Sequence, residues 1–135
     1  MLGDAGLHVS VKGDDVGEFD VPLVKRAISN LLGNSVRYAT PSSTITVEIS
    51  DVDGIYVDIS VINKGKTIEA DAVLRLFDRF YRAEASRSMA DKHHGLGLSI
   101  VAAIASMHSG APHASSVNNE TRIGFTMLRK NDVSV

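Results

Sequence analysis

Apolar and polar residues alternate in several stretches of the chain, and the period lengthens where a helix should replace a strand. Near the start, Leu7, Val9 and Val11 alternate with His8, Ser10 and Lys12, which predicts a half-buried strand. Residues 13–17 read as a turn, and residues 18–20 are expected to return as a short strand. Pro22 then opens a helix, where its fixed φ and missing N–H cost least. Val24, Ile28, Leu31, Leu32 and Ser35 recur at spacings of three and four and define the buried face of that helix. Pro41 and the serines after it predict an end near Ala39.

A period of two returns next. Ile45, Val47 and Ile49 alternate with Thr44, Thr46, Glu48 and Ser50, and Ile55, Val57, Ile59 and Val61 repeat the pattern after Asp53-Gly54. This predicts a β-hairpin with a tight Asp-Gly turn. Residues 63–68 form a loop around Gly65, and residues 70–82 carry a short helical pattern in which Leu74, Phe77 and Tyr81 share a face. Residues 83–94 are polar and small, a composition that suits a mobile segment. From about Leu96 to His108 the chain is apolar nearly all round, which predicts a buried helix with Gly110 as its C-terminal cap. Two strands near 112–117 and 122–129 follow, joined by a turn at Asn118-Asn119. Five strands and two long helices in this order predict a two-layer α/β (α+β) sandwich.

With 135 residues the chain is long enough for one domain with its own core. A net charge of −2 excludes a general nucleic-acid binder, which carries a basic excess. The absence of cysteine excludes disulfides and thiolate metal sites. No apolar run approaches the roughly 18 residues of a membrane helix, and residues 1–6 do not resemble a signal peptide.

Three local patterns bear on chemistry. Asn30, Asn34 and Arg37 recur at i, i+4 and i+7 along one face of the first helix, with Tyr38 beside them. A solvated face explains such a stripe, but asparagine is a poor mid-helix residue when any polar side chain would serve. A carboxamide oxygen suits Mg²⁺, a guanidinium suits phosphate and a phenol can stack on a base. Gly95 and Gly97 precede an apolar helix, where small residues admit a ligand to the free N–H groups; a flexible turn explains them equally. In LFDRFYR, residues 76–82, Phe77 and Phe80 read as core plugs that leave Arg79 and Arg82 projecting, and surface arginines are common. His93-His94 lacks the further ligands of a metal site, and His8, His108 and His113 form no pattern.

Order and spacing change the weight of these fragments. NLLGNSVRY resembles the N box of the sensor histidine kinases, NKGKTI stands where their first glycine box stands, LFDRFYR resembles their F box and GLGLSIV their second glycine box. The resemblance covers residues 7–130, with 1–6 expected as a linker remnant and 131–135 as a tail of a piece excised from a longer protein. It implies the Bergerat ATP-binding (GHKL) fold, a mixed five-stranded sheet covered on one face by helices. It further implies a protein-histidine kinase domain of a two-component system that uses ATP and Mg²⁺.

Residue by residue, the resemblance implies Asn34 as the Mg²⁺ ligand, Asn30 as a mainly structural partner, and Arg37, Arg79 and Arg82 at the phosphates, with Asn34, Arg37 and Arg82 catalytic. Tyr38, Asn63 and Thr121 would hold the adenine, and Gly65, Ile68, Phe77, Leu96 and Leu98 would complete the nucleotide site. Gly95 and Gly97 would hinge an ATP lid formed by residues 83–94. The chain departs from the family at four positions. Asn63 replaces an aspartate that accepts from the adenine amino group, Thr67 replaces the second glycine of that box, and His93 and Glu120 replace glycines. Asn63 followed by a basic residue and Gly65, together with LFDRFYR, resembles the heavy-metal-responsive subgroup.

His94 is followed by Gly95 rather than an acidic residue, so it does not match a phosphoacceptor, and the receiving histidine lies on another domain. The partners implied are a dimeric phosphoacceptor helical domain and a response regulator. The location implied is the cytoplasmic side of a bacterial inner-membrane homodimeric sensor. Two alternatives are another Bergerat-fold ATPase or kinase, and a nucleotide-blind docking domain that kept only the fold.

Overall fold

A computed structural model describes residues 8–12, 19–79 and 94–129. The elements run β1 (His8–Lys12), α1 (Val21–Tyr38), β2 (Thr44–Val52), β3 (Tyr56–Lys64), α2 (Ala70–Leu74), α3 (His94–Met107), β4 (Pro112–Val117) and β5 (Glu120–Leu128). The strands form one five-stranded sheet in the order β1-β2-β3-β5-β4. β1 runs parallel to β2 and every other neighbour is antiparallel, so the sheet is mixed.

Asp20 does not belong to a strand. Its side chain accepts from the Leu23 N–H at 3.2 Å and caps α1, which satisfies one of the orphan donors of the first turn. Proline follows in that turn, and Ala39 leaves the helix in an extended conformation. The buried face of α1 is Ala27, Leu31 and Ser35, with Val24, Ile28 and Leu32 packed at its margin.

The hairpin turns make their register visible. Asp53 and Gly54 both have positive φ, as do Asn118 and Asn119, the backbone that twists with its flanking strands. The sheet presents Ile45, Val47, Val57, Ile59, Val61, Ile123, Phe125 and Met127 to the helices, and Leu98, Val101, Ile104 and Ala105 of α3 close over them. Each large side chain buried here contributes about 1.5–3 kcal/mol of transfer free energy.

Three further expectations are corrected. Leu74 is 82% exposed and the helix ends at it, so the face shared with Phe77 does not exist; Leu76 is the residue that plugs the core there. Tyr81 of that expected face lies outside the described residues. α3 is buried on one face only, since Ala103, Ser106 and Met107 are exposed. The left-handed residue after α3 is Ser109, φ 60°, and not Gly110. Gly110 is small for another reason: a Cβ there would lie 1.9 Å from the Thr126 carbonyl oxygen of β5.

His108 pins the two helices where α3 ends and α1 begins. Its Nδ1 lies 2.9 Å from the Ile104 carbonyl, and its Nε2 accepts from the Asp20 N–H at 3.1 Å.

Candidate functional site

α1 and α3 pack side by side over the sheet and leave a cleft of about 220 Å³ between the middle of α1 and the first turns of α3. Its lining is Ser29, Asn30, Gly33, Asn34 and Arg37 from α1 with Gly97 and Leu98 from α3. Helical periodicity puts the α1 residues on one stripe. Asn30 Nδ2 donates to the Gly97 carbonyl at 3.1 Å and ties the stripe to α3. Asn34 has no hydrogen-bonding partner among the described residues, so its carboxamide is available to a ligand. Arg37 lies with its guanidinium 5.4 Å from the Tyr38 ring centroid.

The two glycines of the cleft are not demanded by packing. A Cβ at Gly33 or at Gly97 would meet no protein atom within 4 Å. Glycine costs about 1 kcal/mol relative to alanine inside a helix, so the bare positions make sense where a ligand needs the space. Gly95, Leu96 and Gly97 lie in the first turn of α3, whose N–H groups lack intrahelical acceptors and favour an anion.

A second cluster sits at the C-terminal end of α1. Asn63, at the end of β3, is 3% exposed and pairs in register with Thr121 of β5, which is also buried. Asn63 Nδ2 donates to the Lys64 carbonyl at 3.3 Å, while its Oδ1 has no partner among the described residues. A buried acceptor without a donor is costly unless a ligand supplies one. Gly65 lies against α1, where a Cβ would be 2.4 Å from the Tyr38 carbonyl oxygen. The Thr40 N–H donates to the Lys64 carbonyl at 2.7 Å and holds the loop to the helix end.

The residues singled out in the sequence therefore divide. Asn30, Asn34, Arg37, Gly97 and Leu98 meet in the cleft, and Asn63, Gly65 and Thr121 gather beyond it, with Tyr38 at the helix end near both. Ile68 and Phe77 pack at the margin of the core, and Arg79 is exposed; none of the three lines the cleft. Phe80, Arg82, His93 and the expected lid, apart from His94, lie outside the described residues. Sequence reasoning missed Ser29 and Gly33, although both share the stripe of Asn30, Asn34 and Arg37. It also missed Thr67, Ser116 and Asn119, whose contacts join distant parts of the chain. Among the described residues no cluster of histidine, aspartate and glutamate could hold a metal ion, so any metal here would rest on the Asn34 carboxamide and on the ligand itself.

Comparison with known proteins bears on this geometry. Residues 19–131 match the family model described as histidine kinase-, DNA gyrase B-, and HSP90-like ATPase. The chain is 38% identical over 123 residues to the sensor histidine kinase CusS of Escherichia coli O157:H7, covering 90% of this chain and 25% of that protein. It is 39% identical over 112 residues to the probable sensor kinase SilS of Salmonella typhimurium, covering 83% and 22%. It is 38% identical over 130 residues to the sensor protein IrlS of Burkholderia pseudomallei, covering 96% and 27%. The chain thus spans about a quarter of the length of these relatives. Among solved structures, the mycobacterial sensor histidine kinase MprB superposes with a TM-score of 0.80 at 23% identity, over 93% of this chain and 86% of that one. A catalytic domain of the histidine kinase ThkA gives 0.79 at 21% identity, over 96% and 83%. These two likenesses establish the fold.

Proposed function

The chain belongs to the histidine kinase-, DNA gyrase B- and HSP90-like ATPase family, and on that premise we propose that it is the ATP-binding catalytic domain of a two-component sensor histidine kinase. The γ-phosphoryl group of ATP would go to a histidine on a separate dimerisation domain, and from there to a response regulator. The observation that carries this reading is the convergence of Asn30, Asn34, Arg37 and Gly97 on one cleft.

The donor set fits a magnesium nucleotide. Mg²⁺ prefers oxygen ligands and is commonly held by one or two protein groups plus phosphates, and the Asn34 carboxamide oxygen is such a ligand. When bound, the ion neutralises charge on the phosphates. Arg37 and the first-turn N–H groups of α3 would hold phosphate oxygens, with Arg82 proposed as a further cation, whereas Arg79 lies outside the cleft. Asn30 keeps the two walls of the cleft in register. Asn63 would accept from an exocyclic amine through its buried Oδ1, Tyr38 would cover the base, and Thr121 would close the base end. Positioning and charge neutralisation carry most of the work in phosphoryl transfer.

We further propose that the whole protein is a homodimeric membrane sensor with this domain on the cytoplasmic side. The Asn63-x-Gly65 signature and LFDRFYR point to the heavy-metal-responsive subgroup. Titration calorimetry of the chain with a non-hydrolysable ATP analogue, with and without Mg²⁺, tests the reading. Saturable, Mg²⁺-dependent binding that prefers adenine to guanine supports it. A folded chain that binds neither nucleotide overturns it in favour of a docking domain.

A further inference from the structure

Thr67 stands where the resembling family carries the second glycine of its first glycine box, and a glycine could not do what this threonine does. Its Oγ1 accepts from the Asn119 N–H at 2.7 Å and donates to Asn119 Oδ1 at 3.1 Å. The carbonyl of the same Asn119 accepts from the Gly65 N–H at 2.9 Å. Three hydrogen bonds thus join two residues of the loop after β3, Gly65 and Thr67, to one residue of the β4–β5 turn, 52 positions away from Thr67 in sequence. A second tie lies beside them. The Ile68 N–H donates to Ser116 Oγ at 2.8 Å, and Ser116 shares a hydrogen bond with the buried Thr121 at 2.8 Å.

The loop is therefore held from two sides. Asn119 takes the Gly65 N–H on one side, and on the other the Tyr38 carbonyl lies too close to Gly65 to admit a Cβ. Asn119 can occupy its turn position because asparagine tolerates the left-handed backbone, φ 64° here, and unlike glycine it brings a carboxamide. The strand end that carries Asn63 leads directly into this clamped segment, and Asn63 is paired in register with Thr121.

We propose that Thr67 and Asn119 form a clamp that fixes the base-recognising loop, so that Thr67 is a positioning residue for nucleobase selectivity. The clamp rests on the nucleotide-site reading given above. It sets where the buried Asn63 acceptor stands relative to α1, and so decides how well an exocyclic amine is met. Thr67 itself need not touch the ligand.

The test uses the 135-residue chain with Thr67→Val, which keeps the side-chain shape and removes the hydroxyl, and Thr67→Ser, which restores it. Two quantities are read: amide hydrogen exchange at Gly65 without nucleotide, and affinities for non-hydrolysable adenine and guanine nucleotides with Mg²⁺. Loss of a clamp hydrogen bond should speed Gly65 exchange and weaken adenine-nucleotide binding by about five- to tenfold. The adenine-to-guanine ratio should fall, and Thr67→Ser should recover both within about twofold. A Thr67→Val chain with unchanged Gly65 protection, or with unchanged base ratio and affinity, overturns the clamp alone. A wild-type chain that binds neither nucleotide overturns the nucleotide reading and the selectivity role together. Should Thr67→Val fail to fold, Asn119→Gly, compatible with the turn backbone, serves as the second variant and must show the same loss of protection and ratio.

Discussion

The Asn30 carboxamide donates to the Gly97 carbonyl across 3.1 Å and joins the middle of α1 to the first turn of α3. Two segments that are 67 residues apart in sequence are thereby held as opposite walls of one cleft. Asn30→Asp keeps the shape but sets a carboxylate against a carbonyl. We expect a loss of about 1–2 kcal/mol of stability, read as a melting temperature lower by several degrees, and weaker nucleotide binding.

Gly97 tests the cleft from the opposite direction. A Cβ there meets no protein atom within 4 Å, and alanine is the better helix former by about 1 kcal/mol. Gly97→Ala should melt at the same or a higher temperature while nucleotide affinity falls by about tenfold or more. Unchanged affinity would mean that the glycine does not serve the ligand.

Asp58 gives a pH dependence. It lies on the sheet face away from the helices, where Ser60 Oγ donates to it at 2.6 Å and His113 Nε2 lies 2.5 Å away. His113 reaches it over Gly124, the β5 residue between Ser60 and His113, where a Cβ would lie 2.7 Å from Ser60 Oγ. Burial pushes the Asp58 carboxyl up, but the hydrogen bonds from His113 and Ser60 and the charges of His113 and Arg122 outweigh it, and the pKa ends below its ordinary 3.8. A depressed carboxyl stabilises the fold above its unfolded-state pKa and loses that contribution as pH falls through the folded value. The stability difference between wild type and Asp58→Asn, from denaturant titrations, should therefore shrink as the pH falls below 3.8.

The end of α3 separates two neighbours by mechanism. Ser109 carries a positive φ, which glycine adopts without strain, whereas Gly110 carries none and abuts β5. Ser109→Gly should stabilise by up to about 1 kcal/mol, and Gly110→Ala should destabilise by about 2 kcal/mol or more. Paired thermal melts would read both.

What could be read from the sequence follows from what is local. Pro22 and Pro41 bracket α1, period-two alternation marks β1, β2 and β3, and positive-φ dipeptides mark both hairpin turns. The stripe of Asn30, Asn34 and Arg37 needed only helical geometry to be placed on one face. Long-range pairing was not legible. Asp58 and Ser60 alternate as outward-facing residues, yet Ser60 is fully buried because its neighbours cover the outer face of β3. Thr67 read as a departure from a glycine pattern until its bonds to Asn119 were visible. Gly110 was given the cap because glycine usually takes it, whereas contact with β5 had already claimed that residue.

The cleft is proposed to hold a magnesium nucleotide through Asn34. The most direct measurement compares wild type with Asn34→Ala by calorimetry, using a non-hydrolysable ATP analogue with and without Mg²⁺. The Mg²⁺-dependent part of the affinity is expected to disappear in Asn34→Ala, while the melting temperature holds, because Asn34 has no partner among the described residues and alanine favours a helix. Equal, Mg²⁺-dependent binding by both chains would contradict it.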